Sequence, residues 1–291
     1  MRALVLSGGG ANGAYEVGVL QRILGEKSVH YDVLVGTSVG ALNAAFLSQF
    51  PRGEEAKASR YLTEIWESIR GSGDIYRKHY RGWLWHVPVL WKHNIYTSEP
   101  LRRRVYSSLD PSKSRVSGKE LRVAAVNWDD GEVSYWSQED PDLREGVLAS
   151  SSFPVFFDDV QTRGFWWTDG GLREIAPLKQ AIRLGADRID VILTSPDSPQ
   201  PSLRKSRPGK LKKLTRLLST LLDEVTDNDI RLTRSINELV KVGHPPEGKR
   251  WVDVRVWRPT VDLGDSLDFS PSKNHRQMVQ GYKDSFQFDW R

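Results

Sequence analysis

Two short apolar stretches near the N-terminus, each followed by glycines and a helix-forming segment, constrain the fold of this chain more than any other feature. RALVL (2–6) precedes GGGANG and a helical pattern over 13–25, and YDVLVGTS (31–38) precedes the helix-forming segment ALNAAFLSQF (41–50). Continuous apolar runs of this kind are typical of strands that are buried on both faces. The order strand, helix, strand, helix therefore predicts a parallel sheet covered by helices.

The rest of the chain continues this alternation. We predict a strand, a turn at Asp130-Gly131 and a second strand over 120–137, with further strands at 164–171, 188–196 and 251–259. Helices are predicted over 54–69, 144–152, 178–187, 211–241 and 273–288. The predicted fold class is α/β, a largely parallel central sheet sandwiched by helices, in a single domain over 1–291. This domain is predicted to carry an aromatic and basic insertion at about 74–96 and an exposed loop at about 196–210.

The composition excludes several classes of protein. The chain has no cysteine, which excludes disulfides, cysteine nucleophiles and thiolate metal sites and fits an intracellular protein. It has no run of 18 apolar residues and no signal-peptide pattern, so we expect a cytoplasmic protein without a transmembrane segment. We interpret the net charge of +5 as a feature that keeps the protein soluble. No recognition motif for nucleic acid is present, and no nucleic-acid partner is expected.

The first glycine-rich loop has the outline of a dinucleotide-binding motif. Gly8, Gly10 and Gly13 fit G-x-G-x-x-G between a strand and a helix, and Asp32 follows in the second strand region. The acid of that motif ends the second strand, whereas Asp32 precedes VLVG. The sequence therefore indicates that the loop binds an anion other than a dinucleotide. Nucleotide binding through Gly8–Gly13 is an alternative, and it predicts nucleotide-dependent thermal stabilisation.

The second strand ends in GTSVG (36–40), which places a serine at the apex of a sharp turn before a helix. This is the arrangement of a nucleophile elbow, with Ser38 as the nucleophile. Gly36 and Gly40 let the helix pack close to the strand, and the helix N-terminus points its free N–H groups at developing negative charge. The amides of Gly8–Gly10 would face the same edge of the sheet and could cradle an oxyanion. The alternative is a glycine-rich turn whose serine caps the helix.

The base that activates this serine is predicted to be a carboxylate. Asp169 lies in WWTDGGL at the end of an apolar strand, where burial would raise its pKa. The alternative is an ordinary Asp-Gly turn. None of the six histidines has a distinctive sequence setting: His30, His79, His86, His93, His244 and His275.

Taken together, the motifs GGGANG, GTSVG and DGG, in this order and on these elements, resemble the patatin-like phospholipases. Three further segments are similar to the same family: LASSSFPVFFDDV (148–160), REIAPLKQAIRLGAD (173–187) and QGYKDSF (280–286). The resemblance covers nearly the whole chain and implies the patatin-like fold and a lipid acyl hydrolase of the phospholipase A type. It implies a dyad of Ser38 as nucleophile and Asp169 as proton acceptor, without cofactor or metal. It further implies an oxyanion hole at Gly8, Gly9 and Gly10, with Gly13, Gly36, Gly40, Gly170 and Gly171 as motif residues.

One position departs from the family pattern. Many members carry Arg or Lys where this chain has Asn12, so a phosphate head group is expected to bind less strongly here. Two alternatives to a phospholipase therefore stay open. One is a general carboxylesterase or thioesterase with the same dyad, and the other is a catalytically silent protein that binds lipid or another anion.

Two segments suggest peripheral contact with a membrane. The segment 75–96 contains Trp83, Trp85 and Trp91 among tyrosines and basic residues, a composition suited to lipid head groups. The segment 204–222 has the pattern of a basic amphipathic helix. The alternatives are tryptophans that fill the core and a core-packed helix with a solvated basic face.

Overall fold

The computed structural model describes residues 1–79, 94–196 and 210–288, and at 210–223, 225 and 226 it describes the backbone alone. The strands of these residues form one eight-stranded sheet and one two-stranded sheet. In chain order they are β1 (Arg2–Leu6), β2 (Val33–Thr37), β3 (Arg77–Lys78), β4 (Tyr96–Thr97), β5 (Glu120–Asn127), β6 (Val133–Trp136), β7 (Val160–Thr162), β8 (Phe165–Asp169), β9 (Arg188–Ile192) and β10 (Asp253–Trp257).

Helices cover both faces of the large sheet. They are α1 (Gly13–Leu20), α2 (Val39–Leu47), α3 (Glu55–Glu67), α4 (Glu99–Ser108), α5 (Pro111–Val116), α6 (Leu143–Ser150), α7 (Leu178–Arg183), α8 (Lys210–Lys241) and α9 (Pro271–Asp284). The larger hydrophobic core includes residues of α1, α2, α3, α6 and α9, and the smaller one includes residues of α7 with Ile230 of α8. Within the described ranges, no helix combines the length and apolar character needed to cross a bilayer.

The large sheet is mostly parallel, as predicted. Its order is β10-β9-β1-β2-β5-β8-β7, and the five strands from β10 to β5 run parallel. Beyond β5 the pairing is antiparallel, with β6 and β8 paired to β5 and β7 paired to β8. The register places Thr37 opposite Ala124 and Asp169 opposite Ala125. Ser38, which follows Thr37, therefore lies near the level of Asp169 in the sheet.

Each predicted strand and helix has a counterpart in the structure, although most ends differ by a few residues. The helix predicted over 13–25 is regular only to Leu20, and Gln21–Glu26 continues it with a wider π-type turn. The sequence analysis missed β7, α4 and α5. The three residues of β7 are too few for a strand pattern, and only Leu101 and Val105 are buried in α4.

The two predicted irregular stretches are only partly described. The ends of the insertion at 74–96 are not irregular, because β3 and β4 pair there as an antiparallel ribbon. Residues 80–93, which include Trp83, Trp85 and Trp91, lie outside the described residues, as do 197–209 of the predicted loop.

The C-terminal helix α9 packs unusually close to α1. A Cβ atom added at Gly18 would overlap the carbonyl oxygen of Met278, and one added at Gly281 would overlap the carbonyl oxygen of Tyr15. The absence of side chains at these two glycines lets the helix backbones approach each other. This packing brings the first turns of α9 next to the glycine loop that precedes α1.

Candidate active site

Ser38 lies at the turn between β2 and α2 in a backbone conformation that few non-glycine residues adopt, with φ 56° and ψ −126°. Such a conformation costs on the order of 1–3 kcal/mol and persists only where the surrounding structure imposes it. A Cβ at Gly36 would overlap the Gly40 carbonyl, and one at Gly40 would overlap the Leu6 carbonyl. Ser38 occupies the N-cap position of α2, but its side chain makes no capping hydrogen bond to the helix, contrary to the alternative in which the serine caps it.

Asp169 ends β8 and is 1% exposed. Its Oδ1 accepts a hydrogen bond from the Gly171 amide at 2.7 Å. Its Oδ2 is buried and has no hydrogen-bond partner among the described residues. Burial raises the pKa of this carboxyl to about 7, against the lowering effects of the Gly171 amide and the Ser38 hydroxyl. A carboxyl with this pKa and a free oxygen beside a serine is suited to general base catalysis near neutral pH.

The glycine loop lies directly against the serine. A Cβ at Gly8 would be 3.2 Å from the Ser38 Cβ. The Gly8 amide donates to the Ile175 carbonyl at 2.9 Å, so it is not free to bind an oxyanion, contrary to the expectation for this residue. The amides of Gly9 and Gly10 donate to no acceptor in the described part of the chain. The loop therefore offers two free donors beside Ser38.

A run of three buried serines at the end of α6 holds both members of the predicted dyad. The Ser38 amide donates to the Ser150 Oγ at 2.9 Å, and the Ser151 Oγ donates to the Ser38 carbonyl at 3.3 Å. The Ser152 carbonyl accepts from the Asp169 amide at 3.1 Å. The sequence analysis assigned no role to these residues, although the serine run before Pro154 was a visible signal.

The polar side chain of Asn12, at the end of the glycine loop, is held by α9. Its Oδ1 accepts hydrogen bonds from the Gln277 Nε2 at 2.8 Å and from the Lys273 Nζ at 3.2 Å. Both partners are buried. No sequence signal pointed to these two residues, because they lie more than 250 positions from the loop.

The described histidines are not part of this site. None of them makes a hydrogen bond to Ser38 or Asp169 among the described residues. His30 pairs with Glu55 and Asp32, His79 pairs with Asp158, His244 and His275 are exposed, and His86 and His93 lie outside the described residues. In the same parts of the chain, no group of three or more His, Asp or Glu side chains is arranged to hold a metal ion.

The structure argues against the dinucleotide alternative for Gly8–Gly13. The Oδ2 of Asp32 accepts a hydrogen bond from the Arg2 amide at 2.8 Å. Arg2 begins β1, whereas the glycine loop follows the other end of that strand. Asp32 therefore lies at the sheet edge opposite the glycines and cannot reach a ribose bound there.

Comparisons with known proteins found a matching family model and similar sequences. Residues 4–182 match the family model described as Patatin-like phospholipase. The chain is 30% identical over 201 residues to the uncharacterized protein YjjU of Escherichia coli (strain K12), covering 67% of this chain and 52% of that protein. It is 26% identical over 198 residues to a cGAMP-activated phospholipase of Escherichia coli (strain TW11681), covering 59% of this chain and 52% of that protein. The chain thus spans about half the length of these curated relatives.

Two solved structures are similar at 14% sequence identity. VipD from Legionella pneumophila gives a TM-score of 0.43, with 98% of this chain and 66% of that chain covered. The type III effector protein ExoU gives a TM-score of 0.39, with 98% and 51% covered. The family model alone covers more than half of the sequence. The chain belongs to the patatin-like phospholipase family.

Proposed function

We propose that this chain is a lipid acyl hydrolase of the phospholipase A type, which cleaves fatty-acyl esters through an acyl-enzyme on Ser38. The observation that carries the proposal is the buried carboxyl of Asp169 beside Ser38. Its pKa of about 7 suits a base at neutral pH, as does its Oδ2, which has no hydrogen-bond partner within the described ranges. The family implies hydrolysis of lipid esters, and the dyad supplies a route to it.

In the first half of the proposed reaction, the Ser38 Oγ attacks the ester carbonyl carbon while the Asp169 Oδ2 takes the hydroxyl proton. The carbonyl oxygen becomes an oxyanion, which the free amides of Gly9 and Gly10 and the N-terminus of α2 stabilise. The intermediate then expels the alcohol, and Asp169 returns the proton to the oxygen of this leaving group. The alcohol is a lysophospholipid when the substrate is a phospholipid. The acyl group is left on Ser38.

In the second half, water attacks the acyl-serine carbonyl and gives its proton to Asp169. A second oxyanion forms at the same amides and collapses to release the fatty acid. The proton passes from Asp169 to the Ser38 oxygen, which restores the free enzyme. The same carboxyl serves as base and then as acid in each half, and a pKa near the working pH allows both roles.

Release of fatty acid from a panel of substrates tests this proposal. The panel contains phosphatidylcholine, phosphatidylethanolamine and phosphatidylglycerol vesicles, p-nitrophenyl butyrate and palmitoyl-coenzyme A. We expect wild type and His275→Ala to hydrolyse phospholipid, and Ser38→Ala and Asp169→Asn to lose at least about a thousandfold in rate.

Three other outcomes would contradict the proposal. Turnover confined to p-nitrophenyl butyrate or the thioester would identify a general esterase or thioesterase. No turnover and no labelling of Ser38 by a fluorophosphonate would favour a silent binding protein. Loss of activity in folded His275→Ala would point to a histidine base.

We also propose that residues 1–291 form one catalytic domain, because β9 and β10, beyond the matched residues 4–182, are strands of the same sheet.

Peripheral membrane contact through 75–96 or 204–222 stays a prediction. Flotation of the chain with vesicles of phosphatidylcholine and phosphatidylglycerol would test it.

A further inference from the structure

Lys273 is a buried cation that has no ion-pair partner among the residues that the structure describes. Its side chain is 5% exposed, and burial lowers the pKa of its ammonium group. The Nζ donates hydrogen bonds to the Asn12 Oδ1 and to the Asp265 carbonyl oxygen, and among the described residues it forms no ion pair. Lysine is seldom buried without a paired charge, because removing an ammonium from water is costly. The ammonium has three N–H groups, and these two bonds leave one of them free.

Three carboxylates act on this ammonium through their charge. Asp262, Asp265 and Asp268 raise the pKa of Lys273 through their charges. Each of them, however, accepts an amide hydrogen bond two residues further along the chain, at 2.8, 3.1 and 3.0 Å respectively. These carboxylates therefore favour the charged form of Lys273, but among the described residues none of them lies within ion-pair distance of its ammonium.

The ammonium lies at the glycine loop. The segment that carries these aspartates contacts the loop directly, because the Ala11 amide donates to the Ser266 carbonyl at 2.8 Å. Gly10 has no room for a side chain beside the same carbonyl. Lys273 thus places a positive charge 3.2 Å from the Asn12 side chain at the end of the glycine loop, from a helix outside the matched residues 4–182.

We propose that Lys273 is a substrate-binding residue that takes the phosphate of a phospholipid head group beside the glycine loop. The inference rests on the proposed function. The phosphate of such a lipid is joined to the scissile ester through the glycerol backbone, so the two groups bind near each other. Bonding of the free N–H to a phosphate oxygen supplies the direct ion pair that the ammonium does not form among the described residues. Lys273 then determines preference for phospholipids over neutral esters.

Two soluble substrates with the same two ester bonds test this role, dibutyryl phosphatidylcholine and dibutyrylglycerol. We expect Lys273→Met to lower kcat/KM for the phospholipid by roughly tenfold to a hundredfold, the usual value of a charged hydrogen bond. The neutral ester should change by less than about threefold. Lys283→Met, at an exposed lysine of the same helix, is the matched control and should change neither.

A second variant moves the charge instead of removing it. Because the Asn12 Oδ1 and the Lys273 Nζ are 3.2 Å apart, Asn12→Lys in the Lys273→Met background returns a cation to nearly the same place. We expect this double variant to recover at least part of the phospholipid activity. An equal loss on both substrates, or no loss on either, would overturn the proposal, since it would assign Lys273 to holding the loop or to no role.

Calorimetry separates this proposal from the proposed function. Dibutyryl phosphatidylcholine and inorganic phosphate are titrated into Ser38→Ala, with and without Lys273→Met. We expect Lys273→Met to weaken phospholipid binding to Ser38→Ala by at least about tenfold. That result supports the site even if wild type proves catalytically silent. Binding of inorganic phosphate without binding of the phospholipid would overturn the head-group assignment, as would binding that ignores Lys273.

Discussion

The backbone amide of Ser38 donates a hydrogen bond to the hydroxyl of Ser150 at 2.9 Å, across 112 positions of the chain. Because Ser150 is fully buried, this bond fixes the strained turn that presents Ser38, the proposed nucleophile. The neighbouring Ser152 carbonyl accepts a hydrogen bond from the Asp169 amide, so one helix end positions both members of the proposed dyad.

We therefore predict that Ser150→Ala lowers kcat by about tenfold and leaves KM within about twofold. The substitution leaves the Ser38 amide without a partner, which costs about 1–3 kcal/mol if the turn does not relax. KM should change little because the Ser150 side chain is buried and does not contact the substrate. Steady-state kinetics on a soluble ester measure both constants. Ser107→Ala, at an exposed serine of α4, serves as the control. An unchanged kcat in folded Ser150→Ala would show that the bond does not position the nucleophile.

The pH dependence of hydrolysis should report the ionisation of Asp169. Burial raises the pKa of this carboxyl to about 7, and only its ionised form can take a proton from Ser38. We expect kcat/KM to fall about tenfold per pH unit below a midpoint near 7 and to level off above it. A midpoint near the ordinary aspartate value of about 4 would contradict a buried base.

The same carboxyl should make the protein less stable as pH rises. The folded-state pKa of about 7 lies above the unfolded value, so the folded state binds more protons between the two, and stability falls through this window. We predict that Asp169→Asn gains stability relative to wild type between pH 4 and pH 8, by roughly 4 kcal/mol at most. Urea unfolding at both pH values measures the difference. Asp129→Asn, at an exposed carboxyl, should show no such pH-dependent gain.

The close crossing of α1 and α9 predicts an unusual response to alanine. At an uncrowded helical position, glycine to alanine stabilises by up to about 1 kcal/mol. At Gly281 the new Cβ would overlap the Tyr15 carbonyl, so we expect Gly281→Ala to destabilise by about 1–3 kcal/mol. Thermal or urea unfolding decides the sign. Gly73→Ala, where no atom lies within 4 Å of the added carbon, is the control and should cost far less.

The sequence predicted most of the elements because these depend on local patterns, and the proposed site residues come from the same patterns. Ser38 follows an apolar strand and precedes a helix, and Asp169 ends another strand, so each could be placed from its neighbours in the chain. The absence of a basic residue at Asn12 was equally visible. It led us to expect weaker phosphate binding, and Lys273 now lies beside that position.

The contacts that complete the site could not be predicted in this way. The pairing of Ser150 with Ser38 and of Lys273 with Asn12 joins residues 112 and 261 positions apart. The Gly8 amide is occupied by the Ile175 carbonyl, a tertiary contact that no property of the glycine motif indicates. Such contacts depend on how the elements pack, and periodicity and turn motifs carry no information about them.

The most direct test of the account is the identification of the acylated residue during turnover. Wild type is mixed with dibutyryl phosphatidylcholine, quenched in acid within the first turnovers, digested and examined by mass spectrometry. We predict a butyryl group on the peptide that contains Ser38, absent in Ser38→Ala. Hydrolysis without any acylated peptide, or with the butyryl group on another residue, would contradict the assignment of Ser38 as the nucleophile.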